Sequence, residues 1–239
     1  MRNCISKKKI SVSILMVLSL VFCMFLQASA AAWSDWHTGY ATFTSSGYSG
    51  GHAMLDPIPS NMEITALNEA DYNSFGVSAA LAGAYLEVKS PKGSTVVYVT
   101  DTYPGSPKGA LDICPKSFAK LGDVSKGRVD LQWRVVKAPI TGNFTYKVKT
   151  GSSQYWAAIQ VRNHKYPVLK MEYYKNGKWN NMEKQPYNYF LATNMGLGTQ
   201  TLRMTDIRGQ VVTDTMPSLP VQGGDKPEYT VPGKVQFPN

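Results

Sequence analysis

Turn-forming residues cut this chain into short runs, and most of those runs carry the two-residue alternation of a β-strand. Gly39-Tyr40-Ala41-Thr42-Phe43-Thr44 alternates, and Met62-Glu63-Ile64-Thr65-Ala66-Leu67 and Tyr85-Leu86-Glu87-Val88 read as further strands. Thr95-Val96-Val97-Tyr98-Val99-Thr100 is β-branched or aromatic throughout, and Val129 to Val136 alternates strictly. Later strands are expected over 144–149, 156–161, 169–174, 178–183, 201–207 and 210–215. Asn176-Gly177 separates two of them and suits a type I′ hairpin turn, and Arg208-Gly209 separates another pair. Helical signals are confined to Val77-Ser78-Ala79-Ala80-Leu81-Ala82 and to Pro115 through Gly122, where Pro opens the first turn and Gly ends it. Short strands with only short helices argue against βαβ units. The expected fold is all-β: a small barrel, then an immunoglobulin-like β-sandwich of about seven strands.

The first thirty residues do not belong to that pattern. Arg2 and Lys7-Lys8-Lys9 precede a mostly apolar run from Ile10 to Leu26, and Ala28-Ser29-Ala30 offers small residues for cleavage. Residues 1–30 therefore read as a secretory signal peptide. No second long apolar run follows, so no membrane anchor is expected and the mature protein should be extracellular. Cleavage removes four basic residues and lowers the net charge from +9 to +5. Cys4 and Cys23 leave with the leader and Cys114 remains alone, so no disulfide forms within the chain. Charge divides unevenly: 7 Lys/Arg against 10 Asp/Glu from Trp33 to Asp130, then 14 against 6 from Leu131 onward. That contrast predicts two modules, 31–130 and 131–239, with 137–142 as the junction. No dense Lys/Arg cluster supports nucleic-acid binding, and a monomer is expected.

Chemistry-bearing residues gather in two places. Asp101 and Tyr103 lie at the end of one expected strand, and Asp112 follows a Pro- and Gly-rich loop at 104–109. Two carboxylates and a tyrosine around one loop fit a site that cleaves or grips polysaccharide; they equally fit ordinary turn-capping aspartates. In the second half, Tyr155-Trp156 opens a strand after a polar stretch. Trp156 is either the core tryptophan of the sandwich or part of an exposed aromatic surface for stacking sugar rings. Because adjacent strand residues face opposite ways, both rings share a face only if a loop or bulge intervenes. His37, His52 and His164 are scattered without paired ligand spacing, so neither a metal nor a cofactor is expected. Cys114 has no evident histidine partner for nucleophilic chemistry.

Taken together, these stretches resemble the bacterial expansins over essentially the whole mature chain. The resemblance is carried by Gly39-Tyr40-Ala41-Thr42, Val99-Thr100-Asp101-Thr102-Tyr103-Pro104, Gly109-Ala110-Leu111-Asp112, Trp133 through Asn143, and Val161-Arg162-Asn163-His164. It implies a six-stranded double-psi β-barrel followed by a β-sandwich carbohydrate-binding module, together loosening cellulose-rich walls without cutting them. Matched motif by motif, it places a polysaccharide-binding barrel site at Thr42, Asp101, Tyr103 and Asp112. It places a cellulose-stacking row at Tyr155, Trp156 and Tyr187, with the basic Lys149 beside it. Three departures stand out. The first row position, usually Trp in close relatives, is Tyr155; the barrel disulfides of plant expansins are absent; and their His-Phe-Asp motif reads Ala110-Leu111-Asp112.

The barrel also resembles family-45 glycoside hydrolases and lytic transglycosylases, in which Asp112 would match the general acid. An inverting glycosidase needs a second carboxylate as base, about 6.5–9.5 Å away. Asp101 is the nearby candidate, and its motif matches a supporting role. Asp112 lies just upstream of an expected helix, whose dipole would favour the ionised carboxylate and so disfavour a general acid unless apolar neighbours raise its pKa. Three functions follow: a non-hydrolytic wall-loosening protein acting on cellulose, with xylan and peptidoglycan as further polymers; a weak endoglucanase or lytic transglycosylase; or a wall adhesin that only binds. On the first reading no residue is catalytic.

Overall fold

A computed structural model describes residues 33–222 and 227–239; the signal peptide expected at 1–30 lies outside them. Six strands make the first unit: β1 (His37–Phe43), β2 (Ile64–Asn68), β3 (Tyr85–Lys89), β4 (Ser94–Tyr103), β5 (Leu111–Ile113) and β6 (Val129–Val136). They close into a barrel in the order β1-β5-β2-β4-β3-β6, with β6 returning to pair antiparallel with β1. Two contacts, β1–β5 and β2–β4, are parallel, which forces the chain to cross over itself twice as a double-psi barrel requires. Alternation sets the faces. On β6, Leu131, Trp133 and Val135 are buried while Asp130 and Gln132 are exposed. The interior is filled by aliphatic side chains and Trp133, whose indole Nε1 donates to the Gly109 carbonyl at 3.0 Å.

Two sequence expectations change here. The stretch 77–82 is a series of turns rather than a helix, and Ala79 takes a left-handed φ of 50°. Its alanines are buried because the loop folds over the barrel, which an apolar-run reading cannot distinguish from a helix. A division at Asp130 would pass through β6, whose residues 129–131 pair with β1 alone, 132 and 133 with both β1 and β3, and 134–136 with β3 alone. The last barrel strand ends at Val136, immediately ahead of the junction expected at 137–142. The expected helix is present as Pro115–Leu121, with Cys114 as its N-cap residue and Gly122 after it.

The second unit has eight strands: β7 (Thr145–Val148), β8 (Trp156–Arg162), β9 (Val168–Lys175), β10 (Lys178–Lys184), β11 (Phe190–Thr193), β12 (Gln200–Asp206), β13 (Val211–Met216) and β14 (Tyr229–Pro232). Their order is β13-β12-β9-β10-β11-β8-β7-β14. β10 belongs to both halves of this array, pairing β9 through residues 178–182 and β11 through Glu183 and Lys184. The array doubles back there, because the two ends meet: Tyr146 Oη on β7 donates to Asp214 Oδ2 on β13 at 2.9 Å. That makes two packed layers with Phe144, Tyr146, Phe190 and Met204 between them. Asn176 and Gly177, with φ of 53° and 75°, form the β9–β10 turn as the dipeptide predicts.

Candidate functional site

The barrel residues of interest lie in one lateral row across four strands. Thr42 on β1 is in register with Asp112 on β5, Asp112 with Ala66 on β2, and Ala66 with Asp101 on β4. In-register partners project from the same face, here the outer one, because Ala41, Leu111 and Leu67 beside them are fully buried inside. Ala66 is the short member. Its methyl leaves a gap between two carboxylates whose Cα atoms, two strand spacings apart, lie about 10 Å from each other.

Asp101 reaches this row through a β-bulge. The β2–β4 register shifts between Thr65 and Ala66, which leaves Thr100 as the extra residue. Val97 and Val99 point inward, so unbroken alternation would send Asp101 inward as well. The bulge turns Asp101, and with it Tyr103, to the outer face. Thr42 Oγ1 donates to Asp112 Oδ1 at 2.7 Å and lies 3.3 Å from Tyr103 Oη, joining β1, β5 and the end of β4. Asp101, Tyr103 and Asp112 line a hollow of about 160 Å³ whose wall also includes Ser46, Ile64, Ala66 and Pro104.

The two carboxylates are held differently. Asp101 Oδ1 accepts from the backbone N–H groups of His52 and Thr102, both at 2.8 Å, so that oxygen is engaged in holding a loop. Asp112 is pushed above the usual carboxylate pKa by burial, against the opposing effect of the Thr42 hydroxyl.

A third carboxylate was not singled out from sequence. Asp71 is fully buried, and its Oδ2 accepts from Asn68 Nδ2 at 2.7 Å and from Gly109 N at 2.8 Å. His37 Nδ1 stands 3.3 Å from the other oxygen, and the His37 ring stacks on Trp133 at 3.9 Å between centroids. Burial tends to raise the Asp71 pKa, but these hydrogen bonds leave it lowered. The pair fastens the 104–109 loop to β1. His37 and Asp71 are 34 positions apart, so no local signal links them.

In the sandwich, Tyr155 is 62% exposed and Trp156 37%. Trp156 is therefore not the core tryptophan; aromatic core positions there are held by Phe144, Tyr146 and Phe190. Tyr155 precedes β8, in a turn where Ser153 N donates to the Trp156 carbonyl and Asn194 N to the Tyr155 carbonyl, both at 2.7 Å. That turn is the break in alternation that two adjacent outward rings need. Tyr187 sits on the β10–β11 loop, half-buried, with its ring 6.0 Å from that of Tyr189. Lys149 follows β7, and its Nζ lies 5.7 Å from the Tyr189 ring. The row residues thus come from the N-terminal end of β8 and a separate loop, with Lys149 near the second. Among the described residues, no group of three His, Cys, Asp or Glu side chains is placed to hold a metal. No helix among them is long and apolar enough to cross a membrane.

Compared with known proteins, the chain is 63% identical over 232 residues to the expansin YoaJ of Bacillus subtilis, covering 97% of this chain and 99% of that one. The chain belongs to the expansins. It is also 27% identical over 190 residues to expansin-like protein 1 of Dictyostelium discoideum, covering 75% of this chain and 65% of the other. Among solved structures, a mutant Clavibacter michiganensis expansin in complex with cellohexaose matches with a TM-score of 0.73 at 26% identity. That match covers 86% of this expansin and 100% of the other chain. No protein-family profile matches the sequence. The barrel order and the second β-unit of this expansin agree with the fold its resemblance implied.

Proposed function

We propose that this expansin is a secreted, non-hydrolytic protein that binds cellulose and loosens cellulose-rich walls. The observation that carries the non-hydrolytic reading is the asymmetry of the two carboxylates. Cleavage by an inverting route needs one group to protonate the leaving oxygen and another to activate water. Asp112, with its raised pKa, suits the first role. Asp101, the other carboxylate lining the hollow, already has one oxygen engaged by two backbone N–H groups. Asp112, Thr42 and Tyr103 instead form a hydrogen-bonding set on an open outer face. There they would compete for the hydroxyls that bind one glucan chain to the next. The exposed Tyr155 and Trp156 supply the apolar platform that a pyranose face needs. The complex of the Clavibacter relative with cellohexaose supports a β-glucan as the ligand.

The test pairs mechanics with chemistry. Purified protein should make a clamped cellulose-rich wall strip extend, while new reducing ends stay at background on cellulose, mixed-linkage glucan, xylan and peptidoglycan. Sugar release abolished by Asp112→Asn would identify a glycosidase or lytic enzyme, the reading that the raised Asp112 pKa favours. Binding without extension would identify an adhesin.

A further inference from the structure

Among the contacts between the barrel and the sandwich, those at barrel loop 51–56 are hydrogen-bonded most densely, and the bonding there is one-sided. Four sandwich side chains donate to three backbone carbonyls of this loop, those of Ala53, Met54 and Asp56. Ala53 O accepts from Gln160 Nε2 at 3.0 Å and from Asn188 Nδ2 at 3.4 Å. Met54 O accepts from Arg162 Nη2 at 2.7 Å. Asp56 O accepts from Arg162 Nη1 at 2.8 Å and from Lys147 Nζ at 3.2 Å. Arg162 Nε also donates to Gln160 Oε1 at 2.6 Å, which fixes the plane of the guanidinium. Met54 adopts a left-handed φ of 49°, a conformation a non-glycine residue keeps only when its surroundings impose it.

The other side of the same loop rests on the barrel site. His52 N donates to Asp101 Oδ1 at 2.8 Å and Ala53 N to the Thr100 carbonyl at 3.3 Å. A Cβ at Gly51 would lie 2.6 Å from the Thr100 carbonyl oxygen, so the loop lies directly on the bulge that aims Asp101. Asn188 is next in sequence to Tyr187, and the Tyr72 hydroxyl donates to the Pro186 carbonyl at 3.3 Å. The contact thus joins the strand that presents Asp101 to the loop that presents Tyr187.

We infer that Arg162 is a positioning residue that holds the barrel groove and the aromatic surface in one orientation, so that a glucan gripped by the sandwich is presented to Asp112. This rests on the wall-loosening function proposed above. Units joined by a short linker are expected to reorient unless an interface prevents it. A guanidinium reaching two carbonyls at once resists rotation in a way that the single point charge of lysine does not. Displacing one chain from its neighbours needs a stiff connection between the part that holds the polymer and the part that competes for its hydroxyls. With a free hinge, the sandwich would still bind while the barrel drifted off the strand.

The experiment compares full-length protein with Arg162→Ala and Arg162→Lys, reading small-angle X-ray scattering, cellulose pull-down and wall-strip extension. Both variants should broaden the scattering distance distribution and leave pull-down within about threefold, while extension falls about tenfold or more. The split between binding and extension is what a purely structural role would not produce. If the Arg162 variants fail to fold, the Gln160→Ala/Asn188→Ala double variant removes both bonds to Ala53 O and should give the same pattern in weaker form. Unchanged scattering in the folded variants, or full extension from a variant whose scattering has broadened, overturns the inference. Wild-type protein that produces no extension would overturn the wall-loosening function, and the scattering comparison would still decide whether Arg162 fixes the orientation.

Discussion

Asp112 links stability and function through its proton. Burial raises its pKa, so the folded chain keeps that proton to higher pH than the unfolded chain does. From the ordinary carboxylate value of about 3.9 up to the raised folded value, the unfolded state binds fewer protons. Stability therefore falls as pH rises through that window, and the loss persists at neutral pH. Asp112→Asn removes the ionisation and keeps an oxygen for the Thr42 hydroxyl. The variant should melt above wild type at pH 7, with the difference closing toward pH 3, as thermal scans across that range would reveal. Cellulose pull-down should stay nearly intact while wall extension falls sharply. The motif around Asp112 is legible in sequence because it is contiguous. The burial that raises its pKa comes from strands far apart in the chain, which no contiguous motif displays. The His37–Asp71 pair went unnoticed for the same reason.

At the level of single elements, the site depends on places where regular strands are interrupted. Alternation read from sequence identifies β4 correctly but would turn Asp101 into the barrel; the bulge at Thr100 has no marker in residue type. Around Tyr155 a break was foreseeable as a requirement, and the turn at 153–155 meets it. Tyr155→Ala should weaken cellulose binding by about 1 kcal/mol with little change in melting, since most of the ring is in water. Trp156→Ala should cost about 1–2 kcal/mol of binding and some stability too, because roughly two thirds of the residue is covered. Pull-down isotherms and melting curves on the same preparations separate the two effects. Gly39 has a different importance. A Cβ there would lie 2.2 Å from the Gly109 carbonyl oxygen, the acceptor of the Trp133 indole, so neither backbone segment has room to yield. Gly39→Ala should destabilise the barrel by about 2–3 kcal/mol or more, measurable by denaturant unfolding.

For the molecule as a whole, the charge contrast counted from residue 131 cuts into β6, whereas the junction read at 137–142 begins where that strand ends. Strand pairing puts all of β6 in the barrel. A fragment 31–136 should therefore fold alone, whereas 31–130 should not, because it leaves β1 and β3 with exposed edges where β6 belongs. Circular dichroism and proton NMR dispersion of the two fragments would distinguish them. The sandwich is best produced from residue 137 onward, and it should keep most of the cellulose affinity if Tyr155 and Trp156 carry it. The short linker keeps the units close, while on the inference above the sandwich side chains bonded to the 51–56 carbonyls hold how they face each other; sequence displays the first of these and conceals the second.

Barrel closure also sets a timetable for the chain. β1 finds its partners only in β5 and β6, with Ala41 opposite both Leu111 and Val129. Nothing made earlier can complete the sheet around it, so the first unit stays open until the ribosome has added Val136 and released it. Contacts this distant in sequence also form slowly once they become possible. Were the chain exported unfolded, as the signal peptide expected at 1–30 implies, that delay would keep it threadable until it had crossed.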